Sequence, residues 1–256
     1  MPQSVHDTII IGAGISGLSC ATQLEKEHVD FLLISKDIGG RILKSTDGLV
    51  NYGAFFICND YDNVLPFVTV KKRIRLRDFC FHEKNRTYPL YDLQFIPLIP
   101  QFIRIKRHLR IFKKHLNDLR KNSQHISQKK AIENDSYLHE LYMKNACDFV
   151  SEHRLRKGTD RYLSKALYST TFSTISEMNA FSYLQFLLPL ITPIYTFNFD
   201  NERVVKPFHD KIIIDTVKDI CHNGKGYIIK TEKEVFHSKH LVLATEITWS
   251  SQYAKI

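Results

Sequence analysis

Residues 8–18 read Thr8-Ile9-Ile10-Ile11-Gly12-Ala13-Gly14-Ile15-Ser16-Gly17-Leu18, and this stretch decides the fold. The three isoleucines, bounded by Asp7 and Gly12, make a short apolar run of the kind found in a strand buried on both faces of a parallel sheet. Gly12-x-Gly14-x-x-Gly17 follows at once and opens a helix expected to reach about Glu27. Val29-Asp30-Phe31-Leu32-Leu33-Ile34-Ser35 then supplies a second buried strand, over Phe31 to Ile34. Strand, glycine turn, helix and strand in this order turn a bare glycine spacing into a dinucleotide-binding fingerprint.

Each glycine has its own task. Gly12 permits the tight turn off the strand, Gly14 lets a pyrophosphate approach the backbone, and Gly17 lets the helix lie close to the sheet. Ala13, Ile15 and Ser16 complete the candidate binding turn. The N–H groups at the helix start face the anion, aided by the helix dipole. The alternative is a glycine-rich βα turn that holds no ligand.

A second glycine element, Gly39-Gly40-Arg41, follows the second strand, and Asp47-Gly48-Leu49-Val50-Asn51-Tyr52-Gly53-Ala54 follows that, with Tyr61 beyond. With the first turn, these blocks resemble the flavin-dependent amine oxidase, phytoene desaturase and protoporphyrinogen oxidase superfamily over about the first sixty residues. The resemblance implies FAD as cofactor, with Gly39, Gly40 and Arg41 near its pyrophosphate and ribityl chain. It also implies a fold class: α/β, a three-layer Rossmann-like FAD/NAD(P)-binding domain of the glutathione-reductase kind, interrupted by a mostly helical α+β insert. The expected segments are 1–65 for the first part of the FAD-binding domain, 66–200 for the substrate or cap insert, and 201–256 for the return.

Two positions depart from that superfamily. Its second strand usually ends in a glutamate that accepts from the adenosine ribose, and here the residue is Ser35, whose neutral hydrogen bond is weaker than one to a carboxylate. Lys36 beside it suits a 2′-phosphate, so NADP is the alternative cofactor. Asp37 is a substitute if the turn is short. The second departure is Asn51, where the superfamily often has an acid.

The chain of 256 residues, 43% hydrophobic, is long enough to bury a sizeable core in one or two domains. No apolar run approaches membrane-spanning length and no signal peptide precedes the first strand, so the expected location is cytoplasmic. Five scattered cysteines without a C-x-x-C pair argue for a reducing setting and against a disulfide framework or zinc site. The twelve histidines show no ligand spacing, and no metal site is expected.

Phe79-Cys80-Phe81 and Thr87-Tyr88-Pro89-Leu90 flank the polar turn Glu83-Lys84-Asn85 and predict a hairpin. Phe102, Ile105, Leu109, Phe112, Leu116 and Leu119 then recur at spacings of three and four and share one face of a helix over 102–121. Arg104, Lys106, Arg107, Arg110, Lys113, Lys114, Arg120 and Lys121 fill much of the remainder, with Asp118 as the sole acid. They supply much of the net charge of +9. Three readings compete for this helix. The first is core packing with a solvated basic face. The second is peripheral contact with an anionic membrane. Nucleic acid ranks last, because no recognition fold accompanies the charge.

Further on, 137–150 and 161–168 read as helices broken at Gly158, and Ser176 with Asn179 begins another that carries Phe181 to Leu188. Some of its apolar side chains are candidates to line a cavity for an apolar small-molecule substrate. Tyr195 to Phe199 suits a strand. A helix is expected from about Asp210 to Cys221, then a hairpin of 227–230 with 235–236, then a buried strand Leu241-Val242-Leu243-Ala244-Thr245. By resemblance this last strand rejoins the sheet beside the first. The strand that usually precedes the hairpin has no counterpart between Ile220 and Gly224, and the usual glycine pair is absent around 202–207.

The superfamily's C-terminal block, a Gly-Asp pair and a helix start facing the flavin, is not found before Ile256. The expectation is therefore a truncated chain or one part of a split enzyme, with a partner chain supplying that half. No catalytic residue can be carried over. The implied reaction is hydride transfer from a substrate C–N or C–C bond to flavin. The alternatives are a non-catalytic nucleotide-binding remnant or interaction module, and an NAD(P)-binding Rossmann protein.

Overall fold

The computed structural model describes residues 5–42, 45, 53–54, 56–62, 64–83 and 85–253. The block 47–52, with Asn51, lies outside them, as does Lys84. Contacts gather the chain into two units, Met1–Lys72 with Tyr195–Ile256, and Arg73–Ile194.

The first unit opens with strand β1 (Val5–Ala13), helix α1 (Ile15–Lys26) and strand β2 (Phe31–Ile38). Strands β3 (Ile57–Cys58) and β4 (Val68–Ile74) follow. The second unit begins with the hairpin β5 (Cys80–Glu83) and β6 (Arg86–Pro89). A 3₁₀ turn, Leu93–Leu98, leads into the long helix α2 (Ile99–Asn122). Short helices α3 (Gln128–Glu133), α4 (Ser136–Met143) and α5 (Ala146–Glu152) come next. Helix α6 (Arg156–Gly158) runs through a π-helical turn, Thr159–Leu163, into α7 (Ser164–Thr171), and α8 (Ala180–Leu187) completes the set. The chain returns through β7 (Ile194–Phe199), α9 (Asn201–Val205), β8 (Ile212–Ile214), β9 (Val217–His222), β10 (Tyr227–Thr231), β11 (Val235–Leu243) and α10 (Ile247–Ser250).

Six strands form the main sheet in the order β8-β2-β1-β11-β10-β9. The four from β8 to β11 are parallel, and β10 pairs antiparallel with both β11 and β9. Side chains along a strand alternate between faces, so the apolar runs split into two cores. Ile10, Leu33 and Ala13 join Leu18 and Ala21 of α1 and Phe208 on one face. Ile9, Ile11, Leu32 and Ile34 join Val217 and Ile229 on the other. A strand buried on both faces must be apolar throughout, which is why β1 carries three consecutive isoleucines. As expected, β11 lies beside β1, and Ile9 is in register with Leu241.

In the second unit α2 buries Phe102, Ile105, Leu109, Phe112, Leu116 and Leu119, the six positions picked out by the helical period. Burying each contributes about 1.5–3 kcal/mol relative to water. Ser127, Asp135, Asn145 and Asn179 cap α3, α4, α5 and α8 through side-chain oxygens that accept backbone N–H bonds. Inside this core the Thr159 and Tyr183 hydroxyls bond to each other at 2.8 Å, and both side chains are fully buried.

Three expectations need correction. The segment 210–221 is not one helix: a 3₁₀ turn ends at Lys211, and strands β8 and β9 follow. Its apolar positions fit a helical period, yet the run Ile212-Ile213-Ile214 is β-branched and pairs with β2. A strand does precede the hairpin of β10 and β11: β9 ends at His222 and pairs antiparallel with β10. Gly158 does not break the helix. Its backbone is helical (φ −68°, ψ −37°), and a Cβ there would lie 3.4 Å from Phe102 and Gln101 side-chain atoms of α2. Gly158 therefore sits within a helical turn against α2, and its N–H donates to Gln101 Oε1 at 2.9 Å.

Candidate functional site

The sequence-predicted residues of the first unit converge at the C-terminal ends of β1 and β2, where parallel sheets place their ligand sites. At Gly12 the backbone turns with φ +103°, a conformation that L side chains rarely adopt. A Cβ there would stand 2.8 Å from the Ala244 carbonyl oxygen, and one at Gly17 would stand 1.9 Å from the Gly12 carbonyl oxygen. These two glycines hold strand, turn and helix together.

Gly14 differs from both. It is the N-cap of α1, its backbone is extended (φ −77°, ψ −178°), and a Cβ built on it meets nothing within 4 Å among the described residues. No side chain caps this end of α1, and its first turn carries no acid. The Gly14 carbonyl accepts the first helical bond from Leu18 N–H at 2.9 Å. The first N–H groups of the helix, Ile15 and Ser16 among them, are donors that intrahelical bonding leaves over. Bare amides, the positive end of a 12-residue helix and, among the described residues, open space above Gly14 are the features that favour an anion at a helix start.

The second glycine element folds onto the first. Gly39 N–H donates to the Ala13 carbonyl at 2.8 Å, and a Cβ on Gly40 would approach Gly14 Cα to 3.2 Å. Arg41 is exposed in the short turn Gly40–Ile42, and its carbonyl accepts from Ala54 N–H at 2.9 Å. Thus Gly12, Gly14, Gly17, Gly39, Gly40 and the Arg41 backbone share one corner of the unit.

Ser35 has a task that its position in the sequence did not reveal. Opposite it the β1–β2 register slips: Ile11 faces Ile34, but Ala13 faces Ile38. The three intervening residues, Ser35 to Asp37, bulge outward, and Lys36 and Asp37 are exposed. The Ser35 hydroxyl accepts from Ala13 N–H at 3.0 Å and donates to the Asp37 carbonyl at 2.7 Å. These bonds use its one proton and one of its two lone pairs, so a ribose hydroxyl would meet Ser35 only as an acceptor.

Two more contributors lie outside the glycine blocks. Ala244 continues the β1–β11 ladder, donating its N–H to the Ile11 carbonyl at 2.8 Å, and its small side chain faces Gly17. The Ala-Thr ending of β11 was legible in the sequence, but not the glycines it packs against. Asp215 is buried just after β8, and its N–H donates to the Ser35 carbonyl at 3.0 Å. The neighbouring Thr231 hydroxyl, with the Thr216 and Lys233 amides, holds its carboxyl below the usual carboxylate range. It braces the sheet edge behind Ser35. Among the described residues no group of three or more His, Cys, Asp or Glu side chains is placed to hold a metal ion, and no helix is long and apolar enough to cross a membrane.

Residues 10–69 match the profile of the NAD(P)-binding Rossmann-like domain family. By sequence, no curated protein matches the chain. By fold, 95% of the chain superimposes on a putrescine oxidase bound to putrescine, with a TM-score of 0.69 at 12% identity. The cyclohexylamine oxidase of Brevibacterium oxydans IH-35A gives 0.62 at 16% identity over 97% of the chain. A fatty acid isomerase from P. acnes that produces CLA gives 0.66 at 15% identity over 98%. The chain spans 59%, 60% and 61% of the lengths of these three proteins. These three matches are likenesses of fold over nearly the whole chain.

Proposed function

We propose that the first unit binds FAD and that the chain forms the cofactor-binding part of an oxidoreductase of the amine oxidase/desaturase type. The reading rests on one observation above the others: the uncapped N-terminus of α1 opens over Gly14, with room for an anion against bare amides. Gly14 and the first amides of α1 hold the pyrophosphate, with Ala13, Ile15 and Ser16 shaping the turn. Gly39, Gly40 and Arg41 lie along the middle of the cofactor, and the free lone pair of Ser35 meets the adenosine ribose. Bound flavin would supply the acceptor for a hydride leaving a C–H bond of a small, apolar substrate as the adjacent C–N or C–C bond is oxidised. The unit 73–194 orients that substrate. The three fold relatives are longer than this chain, and a partner chain that completes the site is part of the same proposal.

One observation favours a second reading. Lys36 is exposed on the bulge at the end of β2, where a cation would meet a ribose 2′-phosphate, so NADP is the competing cofactor. The absorbance spectrum of the purified protein, followed by FAD and NADPH titrations, decides between them. A flavin band, or saturable FAD binding, supports the first reading. A colourless protein that binds NADPH alone supports the second. Binding of neither refutes both and leaves a nucleotide fold without redox function.

A further inference from the structure

The helical unit carries a surface that the redox reading does not use. Four large aliphatic side chains stand exposed along one line: Leu93 at 84%, Ile96 at 59%, Ile99 at 42% and Ile103 at 48%. Residues three apart eclipse in the 3₁₀ turn Leu93–Leu98, and residues four apart share a face of α2. Between them Leu98 and Phe102 are buried, and Phe95 packs on Phe102 with ring centroids 4.6 Å apart. The segment therefore has its inward anchors already, and the exposed row is a second apolar face. Single exposed aliphatics are ordinary, but a contiguous row marks an interaction surface.

Farther along the same face of α2 the aliphatics give way to cations. Arg107, Arg110 and Lys114 continue the outward stripe from Ile103, and all three are exposed. Lys106, Arg110, Lys113 and Lys114 wall a shallow cavity of about 460 Å³ whose floor is Leu190 and Ile191. The same two floor residues border a second cavity, of about 340 Å³, walled by Arg73, Arg75, Arg77 and Tyr91. Among the described residues no acidic side chain lines either one. Lys113 Nζ donates to Thr192 Oγ1 at 2.9 Å and ties the intervening turn to α2.

The occupant must match aliphatic side chains at one end of the helix and clustered cations at the other. A nucleic acid backbone satisfies the cations and leaves the aliphatic row in water. An anionic bilayer satisfies both, because its acyl boundary lies directly beneath a layer of phosphates. We infer that the helical unit docks on an anionic membrane surface, with Leu93, Ile96, Ile99 and Ile103 entering the headgroup–acyl boundary and Arg107, Arg110 and Lys114 contacting lipid phosphates. The inference concerns this unit's surface alone and is independent of which cofactor the first unit binds.

The test is co-sedimentation of the full chain with phosphatidylcholine vesicles, with and without phosphatidylserine, at low and high salt. Binding should require phosphatidylserine and weaken at high salt. Arg110→Gln with Lys114→Gln should reduce it at low salt by about 25-fold, about fivefold for each cation removed. Ile96→Ser with Ile103→Ser should reduce it by about tenfold or more at either salt concentration. All four side chains are exposed, and unchanged melting curves will show that the variants remain folded. Failure of the unmodified chain to sediment, equal binding to neutral vesicles, or indifference to both double variants would overturn the inference. So would a dimer that the aliphatic variant disperses without any vesicle binding, because the occupant would then be a second copy of the chain.

Discussion

Three glycines in one fingerprint should respond to alanine in three ways, and Gly14 is the informative one. Its extended backbone accepts an L side chain without strain, and among the described residues the added methyl meets no atom within 4 Å. Replacing a glycine at a compatible position stabilises by about 0.4–1 kcal/mol through the unfolded chain. Alanine is a poorer N-cap than glycine by a similar amount, so the two effects nearly cancel. Gly14→Ala should therefore melt within a few degrees of the parent in the absence of ligand. The methyl intrudes instead on the cofactor. Overpacking of about 1–3 kcal/mol corresponds to a Kd raised about 5- to 150-fold. Gly14→Val, bulkier still, should abolish cofactor retention in a folded protein. Gly12→Ala is the contrast: left-handed strain of about 1–3 kcal/mol, with a Cβ only 2.8 Å from the Ala244 carbonyl oxygen, should lower the melting temperature by about 2–12 °C. Gly17→Ala, whose Cβ would overlap the Gly12 carbonyl oxygen at 1.9 Å, should fail to form the unit. The assays are thermal melting without ligand and fluorescence titration with FAD, repeated with NADPH. Parental affinity in Gly14→Ala, or melting of that variant as low as that of Gly12→Ala, would refute the placement of the diphosphate over Gly14.

Two further outcomes follow from buried polar groups. Tyr183→Phe removes the hydroxyl that meets Thr159 at 2.8 Å in the helical core. The Thr159 hydroxyl then has to find a new partner in a fully buried position, and a cost of about 1–3 kcal/mol should appear as a lower urea midpoint with an unchanged slope. Asp215 has a folded-state pKa below its unfolded value, so its stabilisation is present above the unfolded pKa and is lost as pH falls through the folded one. Asp215→Asn should therefore melt below the parent at neutral pH, and the gap should narrow as pH drops below the usual carboxylate range. A gap that is constant across that range would show that the charge of Asp215 contributes nothing.

How far the sequence could be read depended on whether each signal was local. The isoleucine run of β1 and the spacing of Gly12, Gly14 and Gly17 identified strand, turn and helix, because burial on both faces and a close turn leave few alternatives. The six buried positions of α2 were legible because a single helical period selects them. The segment 210–221 was misread because Ile212, Ile213, Ile214, Val217 and Ile220 fit two periods at once. Only pairing of β8 with β2 and of β9 with β10 chooses between them. Ser35 was legible as a departure from an expected carboxylate, but its work in bracing the Ser35–Asp37 bulge depends on Ala13, which is 22 residues distant.

By itself, then, the sequence determined that this chain begins as a βαβ unit with a bare, glycine-lined helix start, and that one basic helix buries a single apolar stripe. Both follow from local sterics and from periodicity. The tertiary structure alone decided that Gly39 and Gly40 pack beside the Ala13–Gly14 backbone, that Ala244 fits against Gly17, and that Leu190 and Ile191 lie beside the cations of α2. These are meetings of residues far apart in the chain, and they are set by strand order and helix packing rather than by any local pattern.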